Sequence, residues 1–489
     1  MSTQYEDRNE AIARMVDSTL EQAAGKNARY AGYALGAPPP RYECGTFDVD
    51  AMNRDHALLL MGSRAVVVRE RLDGPITDRV RFVAPEAFRL LFANKFEGKN
   101  TWANAWLSHP RRRTYAGVEF FPNPDGAEST RGYLNLWRGF EFEPSPDGKY
   151  DIFNDHLQIN VCNGDLELYK YLFAWFAHIV QRPRERIGTA LVLRGPMGSG
   201  KTKVGEVFGS LFPTHYCLVD DPQRITGRFN SHMAACLLLQ ADEAVWAGDK
   251  SAEGRLKGLV TSEYQLIEVK GVDQFKSPNY VRLMMTSNEA WVVPAGKDER
   301  RFVVLDVHPR CAQNHEYFAE MTEQLNNGGR ARLLHDLLNF DLAKVRLRQI
   351  PLTAALLEQK LSSLDPVEDW WKNRLTHGAP THRLEIWPEI IPFADLHDDY
   401  VHEADKLGIA RKKKESEFGK ILRKMIPGLT PTKPRDGGKR VPSYALPSLG
   451  QCRAAFENSI GHEIDWPALD DDPPHEQAGK NVHDDVVPF

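Results

Sequence analysis

Residues 187–209 read Ile-Gly-Thr-Ala-Leu-Val-Leu-Arg-Gly-Pro-Met-Gly-Ser-Gly-Lys-Thr-Lys-Val-Gly-Glu-Val-Phe-Gly, and the rest of the chain can be placed relative to them. The apolar run 190–193 has the length and composition of a buried strand. The pattern G-x-x-x-x-G-K-T follows and leads into a helical pattern, and it consists of Gly195, Pro196, Met197, Gly198, Ser199, Gly200, Lys201 and Thr202. This strand, loop and helix predict an α/β protein with a phosphate-binding loop.

The residue types of this loop suit a nucleoside triphosphate and its metal ion. Glycines allow backbone angles that direct successive N–H groups at phosphates, and the N-terminus of the following helix adds partial positive charge. Lys201 is expected to reach the outer phosphates and Thr202 to bind Mg²⁺. A glycine-rich turn that binds nothing is the alternative, but the flanking strand and helix favour an ATPase that uses ATP and Mg²⁺.

Length and composition indicate a soluble globular protein. The chain has 489 residues, enough for about three domains, and a net charge of −5. No apolar stretch is long enough to span a bilayer, and the charged N-terminus lacks the features of a secretory signal. We therefore expect a cytoplasmic protein without a membrane partner. The six cysteines include no C-x-x-C pair, which favours reduced thiols over a zinc site.

Changes of pattern divide the chain into six segments. Short apolar strands and turns precede residue 150, and a helical pattern follows residue 312. Two helices and a basic hairpin start near residue 365. The last residues are acidic and poor in apolar side chains, which is typical of a flexible tail. The predicted segments are an N-terminal arm (1–45), a smaller α+β domain (46–150), an ATPase core (151–312), a helical connector (313–364), a winged-helix-like basic domain (365–466) and an acidic tail (467–489).

The N-terminal region contains Trp102, Trp106 and Trp137 together with the arginines 111–113. An aromatic, arginine-rich stretch could contact nucleic acid. We favour the simpler interpretation, in which the tryptophans belong to a core and the arginines are solvated. Asp48-Val49-Asp50 resembles the D-x-D of a polymerase metal site, but the region is too short for a complete primase domain.

A second set of polar residues follows two apolar runs. The run 237–239 leads to Asp242 and Glu243, and the run 281–287 leads to Asn288. A phosphate loop needs an acid on a neighbouring strand to hold the metal ion, and Asp242 fits that role. Glu243 is expected to orient and polarise the attacking water, and Asn288 to hydrogen-bond that water or the γ-phosphate.

Basic residues follow these acids along the chain. A hairpin pattern at 266–276 carries Lys270 and Lys276 near its tip, and Arg300 and Arg301 precede the last strand of the core. An arginine at that place could reach the nucleotide of a neighbouring subunit as an arginine finger. Taken singly such residues are more often structural, but their order supports a common function.

In this order the motifs resemble those of superfamily 3 helicases, the hexameric AAA+-like motors of small viruses, phages and plasmids. More closely, the chain is similar to the helicase domain of phage primase-polymerases and poxvirus-type primase-helicases. The resemblance spans residues 45–460, and it is carried by the segments 195–202, 237–243, 267–276, 286–288 and 298–301, with further matches at 135–137, 226–230 and 444–447.

The resemblance implies a P-loop (AAA+-like) ATPase core and an ATP-dependent DNA helicase. Such a protein would form a ring, a hexamer, that moves along single-stranded DNA with ATP bound between subunits. Lys270 or Lys276 would grip DNA in the central pore, and Arg300 matches the family's finger position better than Arg301. A separate primase or polymerase would supply primers, and the location would be the cytoplasm of a bacterial host.

Basic side chains near the C-terminus suggest a further DNA contact. A solvated basic face is the alternative. The residues concerned are Arg411, Lys412, Lys413, Lys414, Lys433, Arg435, Lys439 and Arg440.

Two other functions agree with a phosphate loop. The first is a replication initiator or loader that binds DNA, uses ATP as a switch and recruits host replication proteins without processive unwinding. The second is a P-loop kinase or packaging ATPase. The paired arginines, the lysine hairpin and the basic C-terminal region disfavour a small-molecule kinase.

The chain ends Asp-Asp-Val-Val-Pro-Phe at 484–489, and this end resembles the acidic tip of bacterial single-stranded-DNA-binding proteins. Phe489 after Pro488 can fill an apolar pocket while Asp484 and Asp485 meet a basic rim. The hypothesis is that the tail recruits host proteins that recognise such a tip. A chance acidic tail is the alternative.

Overall fold

A computed structural model of the chain describes residues 46–468, except for 62, 72–78, 222–224, 226, 228–229, 244–249, 269–273 and 294. The predicted N-terminal arm, Lys270 and the tail residues Asp484, Asp485, Pro488 and Phe489 lie outside the described residues. Among the residues that are described, no helix combines the length and the apolar character needed to cross a membrane.

The N-terminal region packs short helices on a small mixed sheet. Its elements are α1 (Val49–Asp55), β1 (His56–Met61), β2 (Arg64–Glu70), β3 (Val80–Val83), α2 (Pro85–Leu91), β4 (Phe96–Glu97), β5 (Asn100–Thr101), α3 (Trp102–Ser108), β6 (Thr114–Tyr115), β7 (Gly117–Glu119) and β8 (Tyr133–Asn135). Four strands form a sheet in the order β3-β2-β1-β6, in which only the β1–β6 pair is parallel.

The tryptophans and arginines of this region make packing contacts. Trp106 is fully buried, and Trp137 stacks on His215 with ring centroids 4.7 Å apart. Arg113 forms an ion pair with Glu70 at 2.7 Å. The buried Trp106 agrees with the interpretation of the tryptophans as core residues, whereas the half-buried, ion-paired Arg113 differs from the expected solvated arginines.

Asp48 and Asp50, the residues that resemble a polymerase metal site, have local partners. The Asp48 carboxylate accepts the Asp50 N–H at 2.8 Å and caps α1, as N-cap carboxylates do. Asp50 pairs with exposed Arg111 at 3.2 Å. The two acids therefore have a structural role at the start of a helix.

The central region contains a five-stranded, all-parallel sheet with the order β10-β11-β14-β9-β15. The elements are α4 (Asp151–Asp155), a π-helix (His156–Val161), α5 (Leu166–Gln181), β9 (Ala190–Arg194), α6 (Lys201–Gly209), β10 (Tyr216–Val219), β11 (Leu238–Asp242), α7 (Lys250–Thr261), β12 (Tyr264–Ile267), β13 (Phe275–Pro278), β14 (Arg282–Ser287) and β15 (Phe302–Asp306). All five residues of β9 are buried. A strand that is covered on both faces has a continuous run of apolar residues. The apolar run 190–193 predicted β9 for this reason.

The strand order corrects one expectation. The acid-bearing strand β11 is not the neighbour of β9, because β14 lies between them. The register pairs Asp242 with Thr286, and Ser287 with Arg194. Since the three strands are parallel and in register, the loop, the acids and Asn288 still share one edge of the sheet.

A continuous hydrophobic core extends from β1 through the central sheet to residue 356. Within it, α5 is buried along residues 171–180. A helix that is apolar all round must be enclosed by other elements, and α5 therefore fixes the position of the sheet that follows it.

The C-terminal region begins with a helical connector and ends in a second core around Trp370, Trp371 and Phe418. Its elements are α8 (His315–Gln324), a π-helix (Leu325–Gly329), α9 (Arg330–Asn339), α10 (Ala354–Ser362), α11 (Pro366–His377), β16 (Ile390–Pro392), α12 (Phe393–Lys406), α13 (Glu415–Met425), β17 (Thr430–Thr432), β18 (Arg435–Asp436), β19 (Lys439–Arg440), β20 (Ser443–Ala445) and α14 (Leu449–Ile460). Three strands form an antiparallel sheet, β16-β20-β17, and the β18–β19 hairpin connects β17 to β20. The winged-helix assignment stays a prediction.

Candidate functional site

The loop between β9 and α6 has a backbone that only glycine adopts readily. Gly195 and Gly200 have φ angles of +151° and +87°. A Cβ added to Gly195 would lie 2.7 Å from the carbonyl oxygen of Val307, and one on Gly200 would lie 2.7 Å from the imidazole of His156. Both the backbone angle and the close packing therefore require glycine at these positions.

Lys201 begins α6, and its side chain turns back over the loop. Its Nζ donates to the carbonyl oxygens of Gly195 and Pro196, each at 2.8 Å, and to Oδ1 of Asn288 at 2.9 Å. The residue is 6% exposed, and burial lowers the pKa of its amino group. A buried ammonium must be hydrogen-bonded, so these carbonyl groups hold it where phosphate oxygens could replace them.

Asp242 accepts hydrogen bonds from hydroxyl groups on two elements. The Thr202 hydroxyl donates to its two carboxylate oxygens at 3.0 and 3.2 Å, and the Thr286 hydroxyl donates as well. Mg²⁺ binds oxygen ligands and usually keeps several waters, so it needs few protein ligands. In the described part of the chain no cluster of three or more His, Cys, Asp or Glu could hold a metal ion. The Thr202–Asp242 pair is the arrangement that fits Mg²⁺ in this cleft.

The contact between Thr202 and Asp242 depends on close packing of α6 against β11. A Cβ on Gly205 would lie 1.9 Å from Oε1 of Gln240, so only glycine allows this approach. Gln240 Nε2 donates to the Thr202 carbonyl at 3.2 Å, and its Oε1 accepts the Tyr216 hydroxyl at 2.6 Å. Sequence reasoning missed Gln240. The available signals were a glycine inside a helix, where it is disfavoured, and an amide inside an apolar strand.

Glu243 and Asn288 lie beside each other at the ends of their strands. Nδ2 of Asn288 donates to Oε1 of Glu243 at 3.2 Å, while Oδ1 of Asn288 accepts from Lys201. Glu243 has a φ of +52°, which is uncommon for a residue other than glycine. Such strained residues cluster at functional sites, and here the conformation accompanies a carboxylate that contacts the amide.

A cleft of about 340 Å³ is lined by loop residues 197, 198 and 200–202 and by the predicted residues of the two strands, whereas the predicted Gly195, Pro196 and Ser199 do not line it. A volume of this size is typical of small-molecule sites. The structure therefore brings together Lys201, Thr202, Asp242, Glu243 and Asn288.

Four residues that line the cleft were not predicted, and one of them, Lys203, directly follows the phosphate loop. Gln313, His315 and Phe318, which lie at and just before the start of α8, line the cleft together with Met197 of the loop. The sequence indicated only a helical connector from residue 313 onwards. No spacing rule links this segment to the phosphate loop, so its contribution was not visible.

Arg300 and Arg301 lie away from this cleft. The carbonyl oxygen of Arg301 accepts the Ala190 N–H at 2.7 Å, at the start of β9, whereas the loop follows the end of β9. The carboxylate of buried Glu299 accepts the N–H groups of both arginines at 3.0 and 2.7 Å, and it pairs with the Arg301 guanidinium at 3.6 Å. Arg300 is exposed at the edge of the sheet opposite the cleft.

Lys276 lies on the exposed hairpin formed by β12 and β13. Its Nζ is 3.9 Å from the centre of the Tyr264 ring, and Tyr264 is 49% exposed. Asn230 fixes the hairpin, because its amide donates to the Leu266 carbonyl and accepts the Glu268 N–H, both at 2.8 Å. Tyr264 was missed by the sequence reasoning, which considered only the charges of this segment.

The basic side chains of the C-terminal region do not all face one surface. Lys412 forms an ion pair with Asp405. Lys414 and Lys433 line a groove of about 650 Å³ between α13 and the strands β17 and β20, and Arg423, which was not predicted, joins them there. Of the other predicted residues, Lys413 is partly buried, and those exposed are Arg411, Arg435, Lys439 and Arg440.

Sequence comparison relates this chain to a phage replication protein. Residues 193–301 match a family of unknown function (DUF5906). A DNA primase-polymerase of Nitratiruptor phage NrS-1 is 24% identical over 175 residues, which make up 35% of this chain. The aligned segment covers 24% of that protein's length.

The fold is also similar to that of solved structures. Two apo structures of the NrS-1 C-terminal region have TM-scores of 0.59 and 0.60 at 16% identity, and each match covers 81% of this chain and 98% of the solved one. The sequence match confirms the predicted relation to a phage primase-polymerase, whereas membership of superfamily 3 stays a prediction. The chain has the mixed α/β fold of that C-terminal region and is related to a phage DNA primase-polymerase.

Proposed function

We propose that this chain is an ATP-dependent DNA helicase of a phage replication system. The observation that carries the proposal is the convergence of Lys201, Thr202, Asp242, Glu243 and Asn288 in one cleft. The cleft lies at the carboxyl ends of parallel strands, where ligands of open α/β sheets bind. The relation to a phage DNA primase-polymerase supports a role in DNA replication.

In this proposal the cleft binds the triphosphate of ATP. Lys201 exchanges its two carbonyl partners for phosphate oxygens, and the N–H groups of the loop surround the remaining charge. Mg²⁺ held by Thr202 and Asp242 would neutralise charge that develops on the transferred phosphoryl group. Glu243 takes a proton from the water that attacks the γ-phosphorus, and the bond to the leaving ADP breaks. Asn288, which already contacts Glu243, orients that water.

The position of Arg300 supports sites shared between subunits. An exposed guanidinium at the edge of the sheet opposite its own cleft can reach the cleft of an adjoining copy in a ring. Arg301 is less suited because it is partly buried and paired with Glu299. The ring would be a hexamer, as the family resemblance suggests.

Two surfaces are proposed to hold DNA. On the hairpin, the Lys276 ammonium would pair with a phosphate and the Tyr264 ring would stack on a base. In the C-terminal region, Lys414, Arg423 and Lys433 line the groove beside α13. Residues 366–445 also run helix, strand, helix, helix, strand, hairpin, strand, which supports a winged helix.

DNA-dependent ATP hydrolysis tests the site. We expect single-stranded DNA to stimulate hydrolysis by the wild-type protein, and Lys201→Ala to lower the rate at least about a hundredfold. Lys170→Ala removes an exposed lysine of α5 and serves as the control. Circular dichroism should show the same fold for all three proteins. Normal turnover by Lys201→Ala would rule out this cleft as the ATPase site.

Strand displacement separates a motor from an initiator or loader. A helicase displaces the paired strand of a forked substrate while it hydrolyses ATP. A protein that binds DNA and hydrolyses ATP without displacement is a loader.

The tail is proposed to bind host proteins that recognise the tip of single-stranded-DNA-binding proteins, and a separate primase would supply primers. Deletion of Pro488 and Phe489 should abolish binding to such a host protein, because the terminal ring is lost and the α-carboxylate is then carried by Val487. Unchanged affinity after the deletion would end this idea.

A further inference from the structure

Resting on the nucleotide cleft proposed above, we infer that this cleft binds the adenine base of the nucleotide on a wall formed by Met197, Gln313, His315 and Phe318. All four residues line the cleft, and none of them belongs to the proposed hydrolytic set. Met197 comes from the phosphate loop, and the other three come from the segment that follows β15.

Direct contacts hold this segment against the loop. The Gln313 N–H donates to the Gly198 carbonyl at 3.3 Å. A Cβ on Gly200 would lie 2.9 Å from the Phe318 ring, so that ring is in close contact with the loop backbone. A nucleotide whose phosphates occupy the loop therefore meets this wall with its sugar and base.

The backbone of Gln313 is strained. Its φ is +60°, although it is not a glycine. In this conformation its N–H reaches the loop and its carbonyl oxygen accepts the His315 N–H at 3.0 Å. Strain of this kind persists where the surrounding structure and function require it. Here it leaves the side chains of Gln313 and His315 exposed in the cleft.

The chemistry of the wall suits a base rather than a phosphate. Met197 is 70% exposed, and an exposed thioether is an adaptable surface for a flat ring. The His315 and Phe318 rings offer further stacking area. The Gln313 amide can donate and accept along one base edge, which matches the amino group and ring nitrogen of adenine.

Binding measurements with three ligands test the inference. We compare Mg²⁺ complexes of ATP, GTP and inorganic tripolyphosphate, which lacks a base. His315→Ala should weaken ATP binding about tenfold, because stacking on a base is lost, and leave tripolyphosphate binding unchanged. Gln313→Gly removes the amide while glycine keeps the left-handed backbone, so it should reduce the preference for ATP over GTP.

Glu320→Ala changes an exposed residue of α8 that does not line the cleft, and it should bind all three ligands as the wild type does. Equal weakening of ATP and tripolyphosphate by His315→Ala, or no weakening of either, would overturn the base wall and leave the nucleotide cleft standing. If the wild type bound neither ATP nor tripolyphosphate, the proposed function would be overturned as well.

Discussion

At the level of single residues, the cleft depends on where Glu243 holds its carboxylate. The residue leaves the strand direction at a φ of +52° and accepts the Asn288 amide at 3.2 Å. Because Asn288 also accepts from Lys201, one amide links the proposed base to the proposed phosphate ligand. Replacing that carboxylate by an amide should prevent removal of the proton from water while ATP still binds in the cleft.

Glu243→Gln is therefore predicted to separate ATP binding from ATP hydrolysis. We expect the ATP dissociation constant to change little and the hydrolysis rate to fall about 10²- to 10⁴-fold, the usual contribution of a general base. Glu289→Gln alters an exposed carboxylate outside the cleft and should hydrolyse ATP normally. Equal rates for the two variants would exclude Glu243 as the base.

Predictability from sequence differs from residue to residue for a physical reason. Residues 195–202 were predictable because one loop fixes their spacing, and Asp242 because an acid follows a recognisable buried strand. Gln240 and His315 were not predictable, because each lies in contact with a segment that is distant from it in the chain. Local patterns carry no information about such contacts.

At the level of elements, the helices and strands were predicted more successfully than their arrangement. The apolar run 190–193 corresponds to β9, Ala190–Arg194, because burial on both faces leaves a continuous signal. The insertion of β14 between β9 and β11 was not anticipated. Pairing of parallel strands depends on contacts between residues that are distant in the chain. Because the apolar runs of these strands are similar, they do not specify which strands pair.

His215 joins the N-terminal region to the central sheet. Its Nε2 accepts the Arg138 N–H at 2.9 Å, so the neutral ring donates from Nδ1 to the Ala235 carbonyl at 2.8 Å. Burial lowers the pKa of this imidazole from 6.5 to about 4. Protonation would place a second proton on Nε2 and break the bond to Arg138.

This histidine should make the stability of the protein pH-dependent. The folded state has the lower pKa, so its contribution is complete above about pH 6.5 and is lost as the pH falls towards 4. Between pH 7 and pH 5 the loss amounts to about 2 kcal/mol in the free energy of unfolding. His215→Gln keeps a donor and an acceptor but does not titrate. Urea unfolding at both pH values should show a smaller change for the variant, and an equal change would contradict this assignment.

At the level of the whole molecule, Arg300 lies away from its own cleft, and the proposed function therefore has it act in the cleft of a second copy. Arg300→Ala should bind ATP normally and hydrolyse it at least about a thousandfold more slowly. Mixed with Glu243→Gln, it should regain activity, because an intact cleft then faces an intact Arg300 at some interfaces. Absence of recovery in mixed assemblies would mean that Arg300 does not act between subunits.

In the proposed function, ATP cleavage in this cleft drives DNA unwinding. The most direct test is displacement of a labelled strand from forked DNA by the wild-type protein and by Glu243→Gln, each with ATP and Mg²⁺. We predict displacement by the wild type and none by the variant, although both bind the fork. Displacement at equal rates by both proteins, or ATP hydrolysis by the wild type without any displacement, would contradict the claim.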